Sequence, residues 1–308
     1  MRKSYYPFCV QIEMVQGCNR DCSFCGTAGM EKKVYQMDER MLMHTAELLR
    51  NFKFDGRILL AGHGEPTIHG NLGKMVMILR RYLPKSHITL FTNGYGIFKR
   101  PQLLHEIFES GANAIMFDEY SDHLIEDDVR NLEGISRYKI ERLQAGVPMF
   151  DKSKKRRVLI APAIDAGDDS LASHKLCNHC GAGMPPLEKP MERRCTIIFR
   201  DFLIRYDGNI AICCNDFRGE YYVCNINDCM TFEEAYYHPR LEAARRRLMN
   251  NDRNFFPCNV CNEKPIREGL LPDKQGKCKM APPSQRDIEL TNKRYPALSG
   301  IRKREWEK

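Results

Sequence analysis

Three cysteines near the N-terminus have the spacing of a metal-binding loop. They lie in the segment Cys18-Asn-Arg-Asp-Cys22-Ser-Phe-Cys25, with gaps of three and two residues. One tight loop of this kind can wrap three thiolates around three corners of a cubane iron-sulfur cluster, which leaves the fourth iron without a protein ligand. An open iron can bind the chelating group of a substrate or cofactor, unlike the four-cysteine arrangement of ordinary ferredoxins. For this loop alone, a structural zinc knuckle is the alternative.

Polar residues follow three of the predicted strands farther along the chain. The run Gly62-His63-Gly64-Glu65-Pro66 combines glycines, which let the backbone approach a ligand closely, with a carboxylate that can accept from an ammonium group. The amide of Asn93 can both donate and accept, and the carboxylate of Asp118 suits paired hydroxyls. Plain turns are the alternative for each segment. The residue types alone leave both interpretations, ligand contact or turn, open for Gly64, Glu65, Pro66, Asn93 and Asp118.

A second group of cysteines occupies the C-terminal third of the chain. Cys195 and Cys213 lie on either side of a predicted hairpin turn, Asp207-Gly208. The segment Cys258-Asn-Val-Cys261 follows much later. These four thiolates can fully ligate one cubane cluster, or one zinc ion in tetrahedral geometry, and the spacing alone does not choose between them.

The first loop resembles the cysteine motif of the radical S-adenosylmethionine (radical SAM) superfamily, including the aromatic residue Phe24 before the last cysteine. The resemblance implies that the open iron chelates the methionine moiety and that an electron from the cluster yields a hydrogen-abstracting 5′-deoxyadenosyl radical. It also places the Gly64-Glu65-Pro66 core at the methionine amino group, and Asn93 and Asp118 near the ribose and methionine carboxylate. His63 replaces the first glycine of the commonest version of that motif.

The second cysteine group resembles the twitch domain, a shortened form of the SPASM domain that carries an auxiliary cluster in many radical SAM enzymes. The positions of Cys195, Gly208 and Cys213 match it, as does the later Cys-x2-Cys segment. Arg267 and Leu271 stand where the longer SPASM form has further cysteines, so we expect one auxiliary [4Fe-4S] cluster. An electron donor such as flavodoxin or ferredoxin is implied as a partner.

The remaining cysteines are expected to be mostly inert buried thiols; they are Cys9, Cys177, Cys180, Cys214, Cys224, Cys229 and Cys278. Cys177 and Cys180 form a half-site without an obvious partner pair. Cys278 is a further candidate ligand. Cys214, next to Cys213, is a candidate to donate a hydrogen atom to a product radical.

The scaffold that must position these motifs alternates strands with helices. Apolar runs predict strands at 8–16, 57–61, 87–91, 112–117, 138–143 and 157–164. Capping residues and periodicity predict helices at 38–52, 71–82, 101–111 and 122–132. This alternation predicts an α/β fold, a partial (β/α)6 TIM-like barrel with its functional residues at the carboxyl ends of the strands. A small cysteine-rich α+β auxiliary-cluster domain is expected to follow it.

Composition shifts divide the predicted barrel from the second cysteine group. We expect the barrel at 1–164, a linker rich in Gly, Asp and Pro at 165–190, the auxiliary-cluster domain at 191–280, and a basic tail at 281–308. The second domain should contain a hairpin, 197–206 paired with 209–213, and a helix at 231–250.

Overall composition favours a cytoplasmic protein without a membrane segment. The N-terminus lacks a signal-peptide core, and no apolar stretch is long enough to span a bilayer. Fourteen cysteines in a reducing compartment favour metal ligation over disulfides. The net charge is +8, with basic runs at 152–157, 245–247 and 302–304 that suit either a phosphate-bearing partner or ordinary solvated surface.

Several functions remain open at this point. The leading hypothesis is hydrogen abstraction that leads to isomerisation or dehydrogenation of a small amino-acid-like or sugar-like metabolite, or of a modified nucleotide or DNA base. A peptide-modifying enzyme is an alternative. A hypothesis of another class is a non-catalytic, zinc-stabilised module that binds nucleic acid.

Overall fold

The computed structural model describes residues 6–28, 30, 33–120, 122–143, 150–151, 156–161 and 177–264, together with strand residues 271–272 and 278–279. The side chain of Cys278 and the predicted tail at 281–308 lie outside the described residues. In the described part of the chain, no helix has both the length and the apolar character needed to cross a bilayer.

The described strands are β1 Cys9–Ile12, β2 Val15–Gln16, β3 Tyr35–Gln36, β4 Arg57–Leu60, β5 His87–Thr92, β6 Ala114–Phe117, β7 Lys139–Arg142, β8 Arg157–Ile160, β9 Asp201–Ile204, β10 Ile210–Ala211, β11 Leu271–Pro272 and β12 Cys278–Lys279. Eight of them form one sheet in the order β10-β9-β1-β4-β5-β6-β8-β7. Every neighbouring pair is parallel except β9 with β10. The predicted α/β fold and its mostly parallel, partial-barrel sheet are confirmed.

The central strands are buried on both faces, as expected when helices cover one face of a parallel sheet and the strands curve around the other. In β1, β4, β6 and β8 every residue is buried. Residues such as Ile12, Leu60 and Leu90 point to the main core, whereas Ala114, Met116 and Leu159 form a smaller cluster on the opposite face. The apolar runs in the sequence therefore produce strands that cannot serve as exposed edges.

The described α-helices are α1 Glu39–Asn51, α2 Leu72–Tyr82, α3 Tyr95–Lys99, α4 Gln102–Glu109, α5 Glu126–Arg130, α6 Ile197–Arg200, α7 Phe232–Tyr236 and α8 Pro239–Met249. The Asp38 carboxylate caps α1 by accepting from the backbone N–H of Arg40 at 2.7 Å and of Met41 at 3.3 Å. The helices α2 and α4 also begin within one residue of their predicted starts, although their N-cap residues, Asn71 and Pro101, make no side-chain capping hydrogen bond.

The C-terminal hairpin differs from its prediction in two ways. Residues 197–200, expected to begin a strand, form the short helix α6, so the first strand is confined to β9. This strand pairs with β1 in parallel, with Cys9 opposite Asp201, and thereby continues the main sheet. The region that carries the second cysteine group is therefore attached directly to the strand that precedes the first cysteine loop.

The helix predicted at 231–250 is wrong as a single element, because it divides at Pro239. Thr231 caps α7 through a capping box with Glu234, and α8 begins at Pro239. Proline has no backbone N–H and favours the first position of a helix, so it ends α7 and begins α8.

Candidate active site

The three cysteines of the first loop line a cavity at the carboxyl ends of the central strands. The cavity has a volume of about 180 Å³ and is lined in part by Cys18, Cys22 and Cys25. Gly64 and Glu65 follow β4, Asn93 follows β5 and Asp118 follows β6, and all four reach the same cavity. Parallel strands end at one edge of a sheet, which explains why residues so far apart in sequence meet here.

Gly64 lies where the backbone after β4 approaches the backbone that leads to the cysteine loop. Gly64 forms a parallel bridge with Gly17, and the N–H of Glu65 donates to the Gly17 carbonyl at 2.9 Å. A Cβ atom at position 64 would lie 2.2 Å from the Val15 carbonyl oxygen, closer than any real contact. Only glycine permits this approach, which sets the Glu65 side chain beside Cys18.

The Glu65 carboxylate is buried and connects the segments that follow two strands, β4 and β5. Its Oε1 atom accepts from the N–H and hydroxyl of Thr67 at 2.9 and 2.5 Å, and from the Thr92 hydroxyl at 2.6 Å. Its Oε2 atom accepts from the Asn93 N–H at 2.8 Å. Burial raises the pKa of Glu65, and these hydrogen bonds oppose the rise. Within the described residues Oε2 has this one donor, so it can accept a second from a ligand ammonium.

Asn93 and Asp118 have different surroundings in the cavity. The Asn93 side-chain N–H₂ donates to the Asn19 amide oxygen at 3.0 Å and approaches the Cys18 sulfur at 3.5 Å. This side chain therefore braces the cysteine loop. The Asp118 carboxylate faces the cavity, and burial together with the charge of Glu65 raises its pKa to about 7.

Of the remaining predicted binding residues, Phe24 lines the cavity and Pro66 does not. The Phe24 ring is buried and stacks on Tyr120 with centroids 6.3 Å apart. Pro66 begins a 3₁₀ turn, Pro66–Ile68, whose cap is Glu65, and it is absent from the cavity wall. Pro66 therefore fixes the backbone that presents Glu65.

Sequence reasoning missed Arg20 and Tyr120, which form the rim of the cavity. Both Asp122 carboxylate oxygens accept from the Arg20 Nη2 atom at 2.8 Å. The Arg20 guanidinium also lies 4.2 Å from the centre of the Tyr120 ring, and its Nε atom lies 3.5 Å from the Cys22 sulfur. The sequence feature that could have identified Arg20 is its position between Cys18 and Cys22.

Phe217 was also missed, and it brings the C-terminal region into the cavity wall. Its ring is buried, lies 4.1 Å from the ring of His63 and 4.5 Å from that of His179, and sits against Gly26. A Cβ atom at Gly26 would lie 2.3 Å from this ring. No local pattern in the sequence marks Phe217, because its partners come from distant parts of the chain.

The buried residues His63 and Glu13 hold this junction together. The Glu13 carboxylate accepts from the N–H of His63 at 3.0 Å and of Tyr206 at 3.1 Å, which ties the ends of β1, β4 and β9. Burial lowers the pKa of His63 to about 3, so its ring is neutral. The His63 Nε2 atom lies 3.1 Å from the carbonyl oxygen of Cys214, adjacent to Cys213. A side chain from the first motif therefore contacts the second cysteine region.

A family model matches the part of the chain that contains the first cysteine loop. Residues 12–155 match the family model described as the Radical SAM superfamily. That segment contains the cysteine loop and every residue of the cavity wall except Phe217. Residues 12–155 are therefore similar to the Radical SAM superfamily over just under half of the chain.

A curated relative is similar to this protein over a short part of the chain. A protein of Methanocaldococcus jannaschii, provisionally named as a glycyl-radical enzyme activating enzyme, is 35% identical over 82 residues, which are 27% of this chain and 30% of the relative. The matched segment thus spans less than a third of that relative's length.

Solved structures show the same fold over most of the chain. BtrN in complex with AdoMet and 2-DOIA is similar with a TM-score of 0.62 and 21% identity, covering 84% of this chain and 94% of BtrN. Native anSMEcpe with bound AdoMet has a TM-score of 0.50 and 14% identity, covering 95% and 98% of the two chains. The likeness to BtrN extends beyond residues 12–155, because it covers 84% of this chain.

The four cysteines predicted as a second ligand set lie close together outside the matched segment, residues 12–155. Cys195, Cys213, Cys258 and Cys261 are each 6–8% exposed and interact electrostatically with one another. Burial raises the pKa of Cys195 to about 12. No group of three or more His, Cys, Asp or Glu side chains in the described part of the chain is arranged to hold a single metal ion. The four cysteines are grouped by the electrostatic interactions between their thiols.

Two other cysteines of this region need comment. The sequence offers Cys180 no obvious partner pair, and in the structure its main electrostatic neighbours are Cys213 and Cys261. Its loop belongs to the predicted linker: Gly183 packs on the backbone of Phe24 in the first cysteine loop, and the Asn178 side chain donates to the carbonyl of Val260, next to Cys261. Cys214 adjoins the set, and its thiol is not part of the cavity wall described above.

Proposed function

We propose that this protein is a radical SAM enzyme that abstracts hydrogen from a small polar substrate and oxidises it. The observation that carries the proposal is the single cavity in which three half-buried thiols meet Glu65, Asn93 and the open carboxylate of Asp118. Three thiolates and no fourth protein ligand suit an exchangeable cluster, and the adjacent carboxylates suit the charged and hydroxylated parts of S-adenosylmethionine.

The residues present fit these groups, with Cys18, Cys22 and Cys25 as the cluster ligands. When bound, the cluster supplies an electron and S-adenosylmethionine supplies the 5′-deoxyadenosyl group that takes a hydrogen atom. Glu65 offers Oε2 to an ammonium group, and Asp118 offers its carboxylate to hydroxyls. The stacked rings of Phe24 and Tyr120 exclude water from one side of the cavity, and Phe217 excludes it from another.

The second cysteine set is proposed to be a twitch-like auxiliary cluster site. Arg253 supports this assignment, because its buried guanidinium is 1% exposed and donates to the carbonyls of Arg193, Arg194 and Glu263 at 2.8, 3.2 and 3.0 Å. In the described residues no carboxylate lies within ion-pair distance of it. A buried cation is costly without a counter-charge, and its electrostatic neighbours include Cys195, Cys258 and Cys261. Thiolates that ligate a cluster supply that counter-charge.

An oxidative outcome follows from this pair of sites. Loss of a hydrogen atom would leave a substrate radical, and conversion of this radical to a product with a new double bond would release one electron and one proton. A cluster held by the second cysteine set would accept the electron, and water would take the proton. His63 and Phe217 place the wall of the first cavity in contact with the second cysteine region. Isomerisation, in which a hydrogen atom returns to the radical from a donor such as Cys214, is the other possible outcome of the test.

The contacts made by the described arginines of two basic runs favour a small substrate over nucleic acid. Arg245 is buried and donates to the carbonyls of Ile198 and Tyr236, while Arg247 pairs with Asp252. Arg157 is buried and pairs with Glu141. These arginines stabilise the fold, so they do not supply a phosphate-binding surface. A peptide substrate remains the alternative to a metabolite.

The test is anaerobic reconstitution with iron and sulfide, followed by reduction with S-adenosylmethionine. Candidate amino-acid-like and sugar-like compounds are supplied with deuterium at their C–H positions. We expect 5′-deoxyadenosine, with deuterium in it when the right compound is present and a product two hydrogens lighter. No 5′-deoxyadenosine from iron-loaded protein would overturn the proposal, and a product of unchanged mass would replace oxidation by isomerisation.

A further inference from the structure

We propose that Cys180 is a ligand of the second metal site, so that five cysteines, Cys180, Cys195, Cys213, Cys258 and Cys261, converge on it. The inference rests on the proposed function in one respect, that this region binds a thiolate-ligated metal group. An iron-sulfur cluster is the proposed occupant. Zinc uses the same ligand chemistry, and the experiment below distinguishes the two.

The first observation is the proximity of two turns that carry cysteines. The 3₁₀ turn His179–Gly181 contacts the 3₁₀ turn Cys258–Val260, and the main electrostatic neighbours of the Cys180 thiol are those of Cys213 and Cys261. These two cysteines come from different parts of the chain, one after the β9–β10 hairpin and one from the later Cys-x2-Cys segment. A metal group bound by Cys213 and Cys261 would therefore also lie next to the Cys180 thiol.

The second observation is a pair of hydrogen bonds that hold two Cys-x2-Cys loops together. The N–H of Asn178 donates to the side-chain oxygen of Asn262 at 2.7 Å, and the N–H of Asn262 donates to the side-chain oxygen of Asn178 at 3.2 Å. The Asn178 side chain, fully buried, also donates to the Val260 carbonyl at 2.8 Å. The 177–180 loop is therefore fixed against the 258–261 loop, and Cys180 is fixed with it.

The same loop contains a matched control. The Cys177 thiol donates to the side-chain oxygen of Asn215 at 3.0 Å, whereas the main electrostatic neighbours of the Cys180 thiol are other thiols. Two cysteines three positions apart therefore have the same loop, similar exposure and different partners. A cubane has four iron corners, so with Cys180 as a ligand one of the other four cysteines stands as the non-ligating thiol.

The experiment uses the full chain with Cys18, Cys22 and Cys25 replaced by alanine, which leaves the second site as the metal site under study. Cys180→Ser and Cys177→Ser are added separately, and each protein is loaded with iron and sulfide or, in a second series, with zinc. A chelator titration then measures metal retention. We expect Cys180→Ser to release the metal at about tenfold or more lower chelator concentration, while Cys177→Ser matches the background protein.

Equal retention in Cys180→Ser and the background would overturn the inference. A loss confined to the zinc series would support the ligand assignment and make zinc the occupant. Circular dichroism of the metal-free proteins checks that the serine variants fold.

A measurement on the unsubstituted protein keeps the inference falsifiable if the variant does not fold. Iodoacetamide labelling, read by mass spectrometry, should modify Cys180 in metal-free protein and spare it in loaded protein. Equal labelling in both states contradicts the proposal. Failure of the proposed function appears separately, as absent 5′-deoxyadenosine in the unsubstituted enzyme, and leaves the metal-retention result unaffected.

Discussion

The two cysteine regions of this protein differ in their access to water. Cys18, Cys22 and Cys25 are half-buried on the wall of a cavity, whereas the four cysteines predicted as the second ligand set are 6–8% exposed. Metal sites that act on ligands keep an open coordination position, and structural sites are closed by protein. The difference suits exchange of ligands at the first region and, at the proposed auxiliary site, a metal group enclosed by protein.

Their surroundings differ in the same direction. The first region is bordered by groups that hydrogen-bond to ligands, including the Glu65 Oε2 atom and the Asp118 carboxylate. The second is bordered by Arg253 and by the reciprocal pair Asn178 and Asn262, whose hydrogen bonds are used within the protein. Phe217 belongs to both regions, since it lines the first cavity and its ring contacts that of His179, next to Cys180.

The largest effect on stability is expected from Phe217→Ala, which removes the ring shared by the two cysteine regions. Removal of a buried ring that touches His63, His179 and Gly26 should lower the free energy of unfolding by about 3–5 kcal/mol. Urea unfolding of metal-free protein measures it. Tyr222→Ala, at an aromatic residue 46% exposed, is the control and should cost far less. Equal costs for the two variants would mean that Phe217 does not join the regions.

Gly64→Ala tests the backbone approach that forms the first region. A Cβ atom 2.2 Å from the Val15 carbonyl oxygen must displace backbone, and we expect a loss of about 1–3 kcal/mol together with loss of S-adenosylmethionine binding. At Gly70 the nearest atom to an added Cβ is 3.8 Å away, so Gly70→Ala is the matched control. Calorimetric binding at equal iron content reports the outcome. Wild-type affinity in Gly64→Ala would refute the close approach.

Much of the first region can be predicted from sequence, because its signals are local. The cysteine spacing, the Asp38 cap of α1 and the polar residues that end β4, β5 and β6 are each visible within a few residues. Parallel strands then bring their ends together without further information. The order of β7 and β8 is not visible in this way, because β8 lies between β6 and β7 in the sheet.

The junction between the regions resists prediction for a physical reason. Phe217 meets His63 across about half of the chain, and Cys180 meets Cys213 and Cys261 through a loop whose composition is typical of a linker. Such contacts depend on tertiary packing, which local propensity and periodicity do not encode.

The pH dependence of the free energy of unfolding should distinguish Asp118 from surface carboxylates. Its pKa rises from 3.8 to about 7 through burial and the charge of Glu65, so folding favours its protonated form. The wild type should therefore lose stability, relative to Asp118→Asn, as the pH rises from 5 to 8, by about 1–3 kcal/mol in metal-free protein. Urea unfolding at both pH values measures the change.

Glu126→Gln serves as the control for that comparison. Hydrogen bonds from Arg142 and Arg130 lower the pKa of Glu126 below 4.5, so the folded protein keeps it ionised at both pH values. The difference between this variant and the wild type should change little between pH 5 and pH 8. An Asp118→Asn difference that is also independent of pH would argue against a buried carboxylate in the cavity.

The smallest effect is expected at the rim of the cavity. Asp122→Asn removes the partner of Arg20, but the Asp122 side chain is 57% exposed, so the loss of stability should stay below about 1 kcal/mol. Glu106→Gln breaks another exposed pair, with Arg100, and should cost a similar amount. Thermal unfolding of the two variants side by side makes the comparison. A cost for Asp122→Asn several times larger would show that the rim stabilises the first region.

The central claim is that an open three-thiol site and a closed second site each bind a cluster. Iron per chain and 5′-deoxyadenosine should be measured after anaerobic reconstitution, in the wild type and in the variant with Cys18, Cys22 and Cys25 replaced by alanine. We predict about eight irons and activity in the wild type, and about four irons without activity in the variant. Zinc in the wild type with no cleavage of S-adenosylmethionine would contradict the account.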